Sequence, residues 1–367
     1  MEPIPFFSLE AVHARIRPAL MHAWDNMLLN GHFILHERVA AFEQAYAHYH
    51  GVAHAVGVGN GLDALYLALR AGGIGPGHEV LVPSHTCYAT WLAVVRTGAT
   101  PVPVEVDASL TINPHRVEEK VTHKTKAIVP VHLYGHPCQM DAIMAWATKY
   151  EWWVVEDNAQ AQGASIHGIQ TGAWGHANAT SFYPTKNIGA LGDGGAITTT
   201  HASVAEFVTH ARNYGAARKD RHETEGINSR LDEWQAAVLL IKLRELDRLN
   251  AERRALAEVY FRLLQNVGDL VLPPKPTDQA QPVFHLFVIQ TNVRDALRAH
   301  LQKHGIDTAV HYPTPIHRQP AMAHLGLAKG SLPMAERLAQ TVLSLPLYPG
   351  LTVSQCERVA EAIRQFF

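Results

Sequence analysis

Six short apolar runs rich in Val and Ile alternate with segments whose apolar residues recur every three or four positions. The runs are AHAVGV from Ala53, EVLVP from Glu79, TPVPVEV from Thr100, KAIVPVHLYG from Lys126, WWVVED from Trp152 and SFYP from Ser181. Between them, LDALYLALRA (62–71) and CQMDAIMAWATKY (138–150) carry the helical spacing. Alternating strands and helices predict an α/β fold: a mainly parallel sheet covered by helices on its faces. Downstream of the glycine-rich GALGDGGAITTT (189–200), a helical pattern begins near Leu231, with Leu231, Trp234, Val238 and Ile241 on one stripe. Ser229 and Asp232 stand as a capping box would require. The pattern continues past residue 260, long for one globular helix, so we place a break or domain crossing near Asn250. The last third holds one strand, FHLFVIQ from Phe284, a helix RDALRAHLQKHG (294–305), a Pro-rich loop from Tyr312 to Pro320 and a terminal helix. The 367 residues accommodate about two domains. We expect a large α/β domain over 1–250 and a smaller α+β domain over 251–367.

Charge limits the partners. Lys plus Arg total 31 against 33 Asp plus Glu, so no basic field exists to neutralise a nucleic acid or an anionic membrane. The opening MEPIPFF lacks a basic stretch followed by an apolar one, and no targeting or membrane segment is expected. Cys87, Cys138 and Cys356 are odd in number and far apart, which fits a reducing compartment, and the cytoplasm is the expectation. The 24 histidines are scattered and read as a titratable surface.

In an open α/β sheet ligands gather at the carboxyl ends of strands, and three such ends carry polar residues. In GVGNGLDAL (57–65), Gly57, Gly59, Asn60 and Gly61 precede a helix whose free N–H groups attract an anion. In VVEDNAQAQG (154–163), an apolar run delivers Glu156 and Asp157 to a strand end, where a carboxylate serves as base, metal ligand or partner of a cationic ring nitrogen. In SFYPTKNIGALGDGG (181–195), Lys186 lies in a stretch otherwise uncharged until Asp193, the setting in which a lysine gives up its proton and becomes a nucleophile. An anion cradle, a carboxylate and a low-charge lysine on one sheet edge are the three things that pyridoxal phosphate requires: a phosphate cup, a partner for the pyridine nitrogen and an amine for a Schiff base.

With those residues in view, the chain resembles the DegT/DnrJ/EryC1/StrS family of sugar aminotransferases, which share the fold-type I, aspartate aminotransferase-like architecture. The resemblance runs from GHFILHERVAAFE at Gly31 to the C-terminal helix. It rests on NGLDALYLAL, IGPGHEVLVPSHT, KAIVPVHLYGHPCQMD, VVEDNAQAQGA, SFYPTKNIGALGDGGA, RNYG, NSRLDEWQAAVL, HYPTPIH and LSLPLYPGL. It implies that Lys186 carries the cofactor, that Asp157 pairs with its ring nitrogen and that Gln160 approaches the ring hydroxyl. Ser181 and the backbone of Gly61 and Leu62 would hold the phosphate, with Asn228 arriving from a second subunit of a homodimer. Tyr183, His311 and Tyr312 match the positions that meet the hexose in relatives acting on nucleotide-linked keto sugars.

The resemblance further implies L-glutamate as amino donor. TWLAV at Thr90 and NGLDAL at Asn60 point to transamination at carbon 3 of a dTDP-3-keto-6-deoxyhexose, giving a dTDP-3-amino-3,6-dideoxyhexose, with carbon 4 as the alternative. A non-catalytic regulator binding a sugar nucleotide is the rival of another class, and the intact Lys186, Asp157, Gln160 and Ser181 oppose it. Lys186 also opposes the dehydratase branch, where His replaces the lysine. Two positions depart from the family pattern. Cys87 stands where an aromatic ring commonly stacks on the cofactor, with Tyr88 next to it, and Gln162 replaces a common His.

Other groupings have plainer readings. His85 with Cys87 lacks a third partner for thiol catalysis. His132 and His136 have the spacing of a metal pair but sit where helical periodicity fails, and we assign no metal site. Trp152 and Trp153 read as packing, and Arg253 and Arg254 as a solvated helix face.

Overall fold

The computed structural model describes residues 2–367. Seven strands form the central sheet: His54–Val58 (β1), Glu79–Pro83 (β2), Thr100–Val104 (β3), Thr125–Ile128 (β4), Trp153–Asp157 (β5), Ala177–Ser181 (β8) and Gly195–Thr199 (β9). The labels β6 (Ser165–Ile166) and β7 (Ile169–Gln170) belong to a small ribbon completed by β12 (Ala280–Gln281), and β10 (Ala216–Arg218) pairs with β11 (Arg221–His222). The order across the sheet is β1-β9-β8-β5-β4-β2-β3. Only β9 runs against the rest, antiparallel to both β1 and β8. Six carboxyl ends therefore open onto one edge. This is the fold-type I architecture expected, with the helices Glu10–Asn30 (α1), Glu37–His50 (α2), Gly61–Ala71 (α3), Tyr88–Arg96 (α4), Met140–Tyr150 (α5) and Ala202–Ala211 (α6) around the sheet.

The amphipathic stripes go where their spacing sends them. Ala64, Leu65, Leu67, Ala68 and Leu69 of α3 pack in one cluster with Val80, Val82, Trp91 and Ile197. Each large apolar side chain removed from water there is worth about 1.5–3 kcal/mol. Trp91 is wholly buried and places its indole N–H on the Pro83 carbonyl at 2.9 Å, so its polar atom is satisfied inside the core.

Several elements differ from expectation. SFYP is not a strand: β8 ends at Ser181, whose ladder partner is Gly195, and Phe182 adds one last bond to the Gly194 carbonyl before Pro184, which has no N–H to give. The glycine-rich GALGDGGAITTT contains β9, a strand of small residues buried along its whole length. The long helical pattern is two helices, Glu233–Leu243 (α7) and Leu246–Leu264 (α8), broken at Arg244 and Glu245 and not at Asn250, which lies inside α8 and is 1% exposed. No capping box forms. The Ser229 hydroxyl instead accepts from the Gly59 N–H at 3.0 Å, and Leu231 packs ahead of the helix against Phe42 and Phe182.

α8 carries the chain between two cores: Leu246 packs in the cluster beneath α2, whereas Leu256, Tyr260, Phe261 and Leu264 pack in another with Phe287, Leu301, Val359 and Ile363. That second core is built from β13 (Phe287–Gln290), β14 (Val342–Leu345), α9 (Arg294–Lys303) and α11 (Val353–Phe366), with α10 (Pro333–Thr341) beside them. It also includes Ile4, whose backbone pairs with Ile306.

Candidate active site

The first component is the turn between β1 and α3. The Asn60 side chain accepts from the Asp63 N–H at 2.8 Å and caps the helix, leaving the N–H groups of Gly61 and Leu62 at the first turn without intrahelical acceptors. Ser181, at the end of β8, lies directly against this turn. A Cβ on Gly61 would fall 2.5 Å from the Ser181 Cβ and 3.0 Å from its hydroxyl oxygen, so glycine is the residue the contact permits. Backbone N–H groups, a hydroxyl and the positive end of a helix are the donor set that suits a phosphate.

The second is Asp157, the last residue of β5 and 4% exposed. Thr90 donates its hydroxyl proton to Oδ2 at 2.9 Å and Ala159 donates its N–H to Oδ1 at 3.2 Å. Burial pushes this carboxyl above its ordinary range, while those two bonds and the nearby Lys186 and His132 pull the other way. Such a carboxylate is under-compensated, and a protonated pyridine nitrogen is the cation that would match it. Glu156, one residue earlier, points to the opposite face of the strand. Burial also raises it, but a 2.7 Å bond with His132 and N–H bonds from Gly172 and Gly175 outweigh that and hold it below its usual range. The other His132 nitrogen, Nδ1, accepts from the Cys138 N–H at 3.0 Å, so both ring nitrogens serve the fold.

Lys186 is the third. It occupies the connection from β8 to β9, its own N–H bonded to the Tyr183 carbonyl at 2.9 Å. Desolvation lowers the pKa of its amine, and Cys87 and Asp157, facing it, raise it again. Next to it Asn187 is clamped by Asn250 (2.8 Å), the Val283 carbonyl and His285, which fixes the backbone from which the lysine projects.

A fourth group comes from distant segments. Gln160 accepts from the Tyr134 N–H at 2.7 Å and donates to the Tyr312 hydroxyl at 3.3 Å. The Tyr134 hydroxyl bonds His85 Nε2 at 2.7 Å and donates to the His311 carbonyl, and His311 Nδ1 meets the Ser344 hydroxyl at 2.8 Å. Burial depresses both His85 and His311 to about 4, so they are neutral imidazoles at pH 7. Burial pushes the Tyr312 hydroxyl well up, and the neighbouring Cys87 and Tyr134 add to it. Tyr183 is 53% exposed. Asn228 is exposed on a backbone bridge with Asn213.

Thus Asp157, Lys186, Cys87, Gln160 and Tyr312 are brought together, with Gly61, Leu62 and Ser181 forming the neighbouring cradle. Tyr88 packs into the large core. Gln162 is buried and donates to the Ser181 carbonyl at 2.9 Å, so it braces the cradle's backbone. Sequence reasoning missed the roles of Thr90, Tyr134, His85 and Asn187, whose partners lie 67, 177, 49 and 63 residues away along the chain. Arg253 was misread. It is 2% exposed, its guanidinium donating to the carbonyls of Phe284, His285 and Leu347, because its face of α8 turns toward the junction of the two cores.

The chain matches the DegT/DnrJ/EryC1/StrS aminotransferase family over residues 15–364. It belongs to that family. It is a pyridoxal phosphate-dependent aminotransferase, and the cradle, buried carboxylate and half-buried lysine described above fit that cofactor. It is 48% identical over 364 residues to a dTDP-3-amino-3,4,6-trideoxy-alpha-D-glucose transaminase of Streptomyces venezuelae, covering 99% of this chain and 96% of that one. It is 44% identical over 365 residues to a UDP-N-acetyl-3-dehydro-alpha-D-glucosamine 3-aminotransferase of Acidithiobacillus ferrooxidans, covering 99% and 97%. Among solved structures, S. venezuelae DesV in complex with a ketimine intermediate superposes with a TM-score of 0.97 at 48% identity, covering 100% of this chain and 98% of that one.

Proposed function

We propose that this aminotransferase moves an amino group from L-glutamate to carbon 3 of a nucleotide-linked keto-deoxyhexose, with a dTDP-3-keto-6-deoxyhexose as substrate and a dTDP-3-amino-3,6-dideoxyhexose as product. The observation that carries this reading is the convergence of Lys186 and the buried Asp157 beside the Gly61–Ser181 cradle. The names of relatives acting at carbon 3 support the position on the sugar. They include a dTDP-3-amino-3,6-dideoxy-alpha-D-galactopyranose transaminase of Aneurinibacillus thermoaerophilus, 44% identical over 364 residues.

Pyridoxal phosphate supplies an electron sink that lets a C–H bond beside nitrogen ionise. The protein would do the rest. Gly61 and Leu62 N–H groups and the Ser181 hydroxyl would hold the phosphate, Asp157 would keep the ring nitrogen protonated, and Gln160 would approach the ring hydroxyl. Cys87 would lie against the ring with a small polarizable contact. Lys186, its amine made less basic by desolvation, would carry the cofactor and then shuttle the substrate proton as base and acid. Tyr183, His311 and Tyr312 would meet the hexose. Their neutral, hydrogen-bonding character suits hydroxyl recognition.

Asn228 would enter the cradle from a second subunit, and we propose a homodimer. We further propose a large domain over 1–250 and a small one over 251–367, joined through α8, and a cytoplasmic location. Among the described residues no helix is long and apolar enough to cross a membrane.

The test is product analysis. Incubation with L-glutamate and the dTDP-linked 3-keto sugar should give 2-oxoglutarate and an amine whose NMR spectrum places nitrogen on carbon 3. Nitrogen on carbon 4, or no turnover with any keto sugar, refutes the assignment. Lys186→Ala should lose the cofactor's visible absorbance on gel filtration and lower turnover by about 10²–10⁴-fold or more.

A further inference from the structure

β1 is an edge strand: β9 pairs with it on one side and, among the described residues, no strand pairs with it on the other. Such an edge presents N–H and C=O groups that a neighbouring strand would ordinarily take. At Gly57 both are taken by side chains. Its N–H donates to Glu43 Oε1 of α2 at 2.8 Å, and its carbonyl accepts at 2.7 Å from Nη1 of Arg212, the residue that closes α6. Glu43 and Arg212 are themselves an ion pair, joined through the same Oε1 and Nη1. Two residues on, the Gly59 N–H donates to the Ser229 hydroxyl, and the Ser229 N–H donates to the Arg212 carbonyl at 2.9 Å. Glu43, Arg212 and Ser229 thus stand where another strand would be, and they grip β1 just ahead of the Gly61 and Leu62 N–H groups.

As a source of stability the ion pair is a poor choice. The Arg212 and Glu43 side chains are 8% and 20% exposed, and the Arg212 Nε–H is buried with no partner. Desolvating two charges offsets most of their attraction, and apolar side chains of similar volume serve packing as well. What a carboxylate and a guanidinium do better is fix direction, one accepting and one donating while each holds the other. The backbone they hold needs it. Three of the five residues from Gly57 to Gly61 are glycines, which leave a chain loose unless its surroundings restrain it. The glycines also keep the approach open: a Cβ on Gly59 would fall 3.1 Å from the Ser229 hydroxyl oxygen, and one on Gly57 3.0 Å from Leu231. Hydrogen bonds weaken steeply as their angle departs from linear, so a phosphate cup depends on where its N–H groups are aimed.

We propose that Glu43, Arg212 and Ser229 are positioning residues for the cofactor's phosphate. They clamp the glycine-rich end of β1, through Gly57 and Gly59, so that the Gly61 and Leu62 N–H groups stay directed at the ester. This rests on the reading of that turn as the phosphate cradle.

Protein stripped of cofactor is titrated with pyridoxal phosphate and with pyridoxal, each followed by its absorbance on Lys186. The two ligands share a ring and differ in the phosphate, so the ratio of their affinities reads the cradle and cancels damage nearer the lysine. The unaltered protein should favour the phosphate ester strongly. Equal affinities would refute the cradle, and the proposal with it. Arg212→Met and Glu43→Ala should lower the preference about tenfold or more, by weakening the ester and leaving pyridoxal where it was. Glu43→Gln, which keeps an acceptor for the Gly57 N–H, should recover most of it. Ser229→Ala, a change of one hydroxyl, should also lower the preference while the melting curve stays near that of the unaltered protein, which frees the result from the folding of the Arg212 variant. An unchanged ratio in Glu43→Ala and Ser229→Ala, or an equal loss of both ligands, assigns these residues to stability alone and overturns the proposal.

Discussion

Glu156 and Asp157 are neighbours with opposite fates. Strand alternation sends Glu156 into a nest of N–H groups and His132, fully satisfied, and leaves Asp157 with two donors and a need for positive charge. The difference makes Thr90 testable. Removing its hydroxyl takes a donor from the ionised form of Asp157, so the carboxyl's pKa rises and the acidic limb of the kcat profile should move up by about one pH unit in Thr90→Val. Thr90→Ser should restore it, and an unmoved limb would show that the Thr90 bond is without influence on Asp157. At this scale the sequence was readable where a residue was unusual in its own surroundings. Lys186 stood out because nothing near it is charged, and Asp157 because an apolar run ended on it. Arg253 gave no such sign, since charge on a helix predicts solvent and only the packing of α8 between two cores reverses it. Tyr134 and His85 were equally silent, because a hydrogen bond between segments 49 residues apart leaves no local trace.

Helix ends were harder to read than helix faces. α2 begins at Glu37 without a capping side chain of its own, and its first N–H groups are taken by Glu233, the first residue of α7. The Glu233 carboxylate, 2% exposed, accepts from His36 at 2.7 Å, Arg38 at 2.9 Å and Val39 at 3.0 Å. Removing it strands three donors, one buried at Val39 and two part-buried at His36 and Arg38, so Glu233→Ala should lower unfolding stability by about 1–3 kcal/mol in urea titration. Glu233→Gln, which keeps one acceptor oxygen, should lose less. A cap supplied from almost two hundred residues away cannot be found by looking for Ser or Asp before a helix, which is why α2 was visible only in the family resemblance. The same holds for β9: its Gly, Ala and Thr make no Val- or Ile-rich run, and it is a strand because β1 and β8 hold it on both sides. The α3 stripe and the β2 and β5 runs, by contrast, were legible because their periodicity is set by burial alone.

For the molecule as a whole, the exposed Met21, Leu28, Leu29, Phe33 and Ile34 form an apolar stretch from α1 into the segment that follows it. We assign it to the proposed subunit contact. Leu29→Asp should shift the protein toward the monomer mass in analytical ultracentrifugation and weaken cofactor binding, if Asn228 acts across that interface. A dimer of unchanged stability would place the contact elsewhere. Acid should destabilise the fold through its buried imidazoles. His50 and His85 are both 4% exposed and depressed to about 4 by burial. The unfolded chain takes up their protons near 6.5, so stability falls as pH drops from about 6.5 to 4, by about 3 kcal/mol apiece, and is insensitive to them above 7. Melting temperatures across that interval check the sign, and His85→Gln should flatten part of the slope.

Ile4 brings the two ends of the chain into one piece of packing. Its partners Ile306 and Leu301 are made some three hundred positions after it. The lobe that holds it cannot be completed while synthesis is under way. The opening segment must wait, unburied, until the final third has left the ribosome, which makes closure of that lobe a late, long-range event in folding.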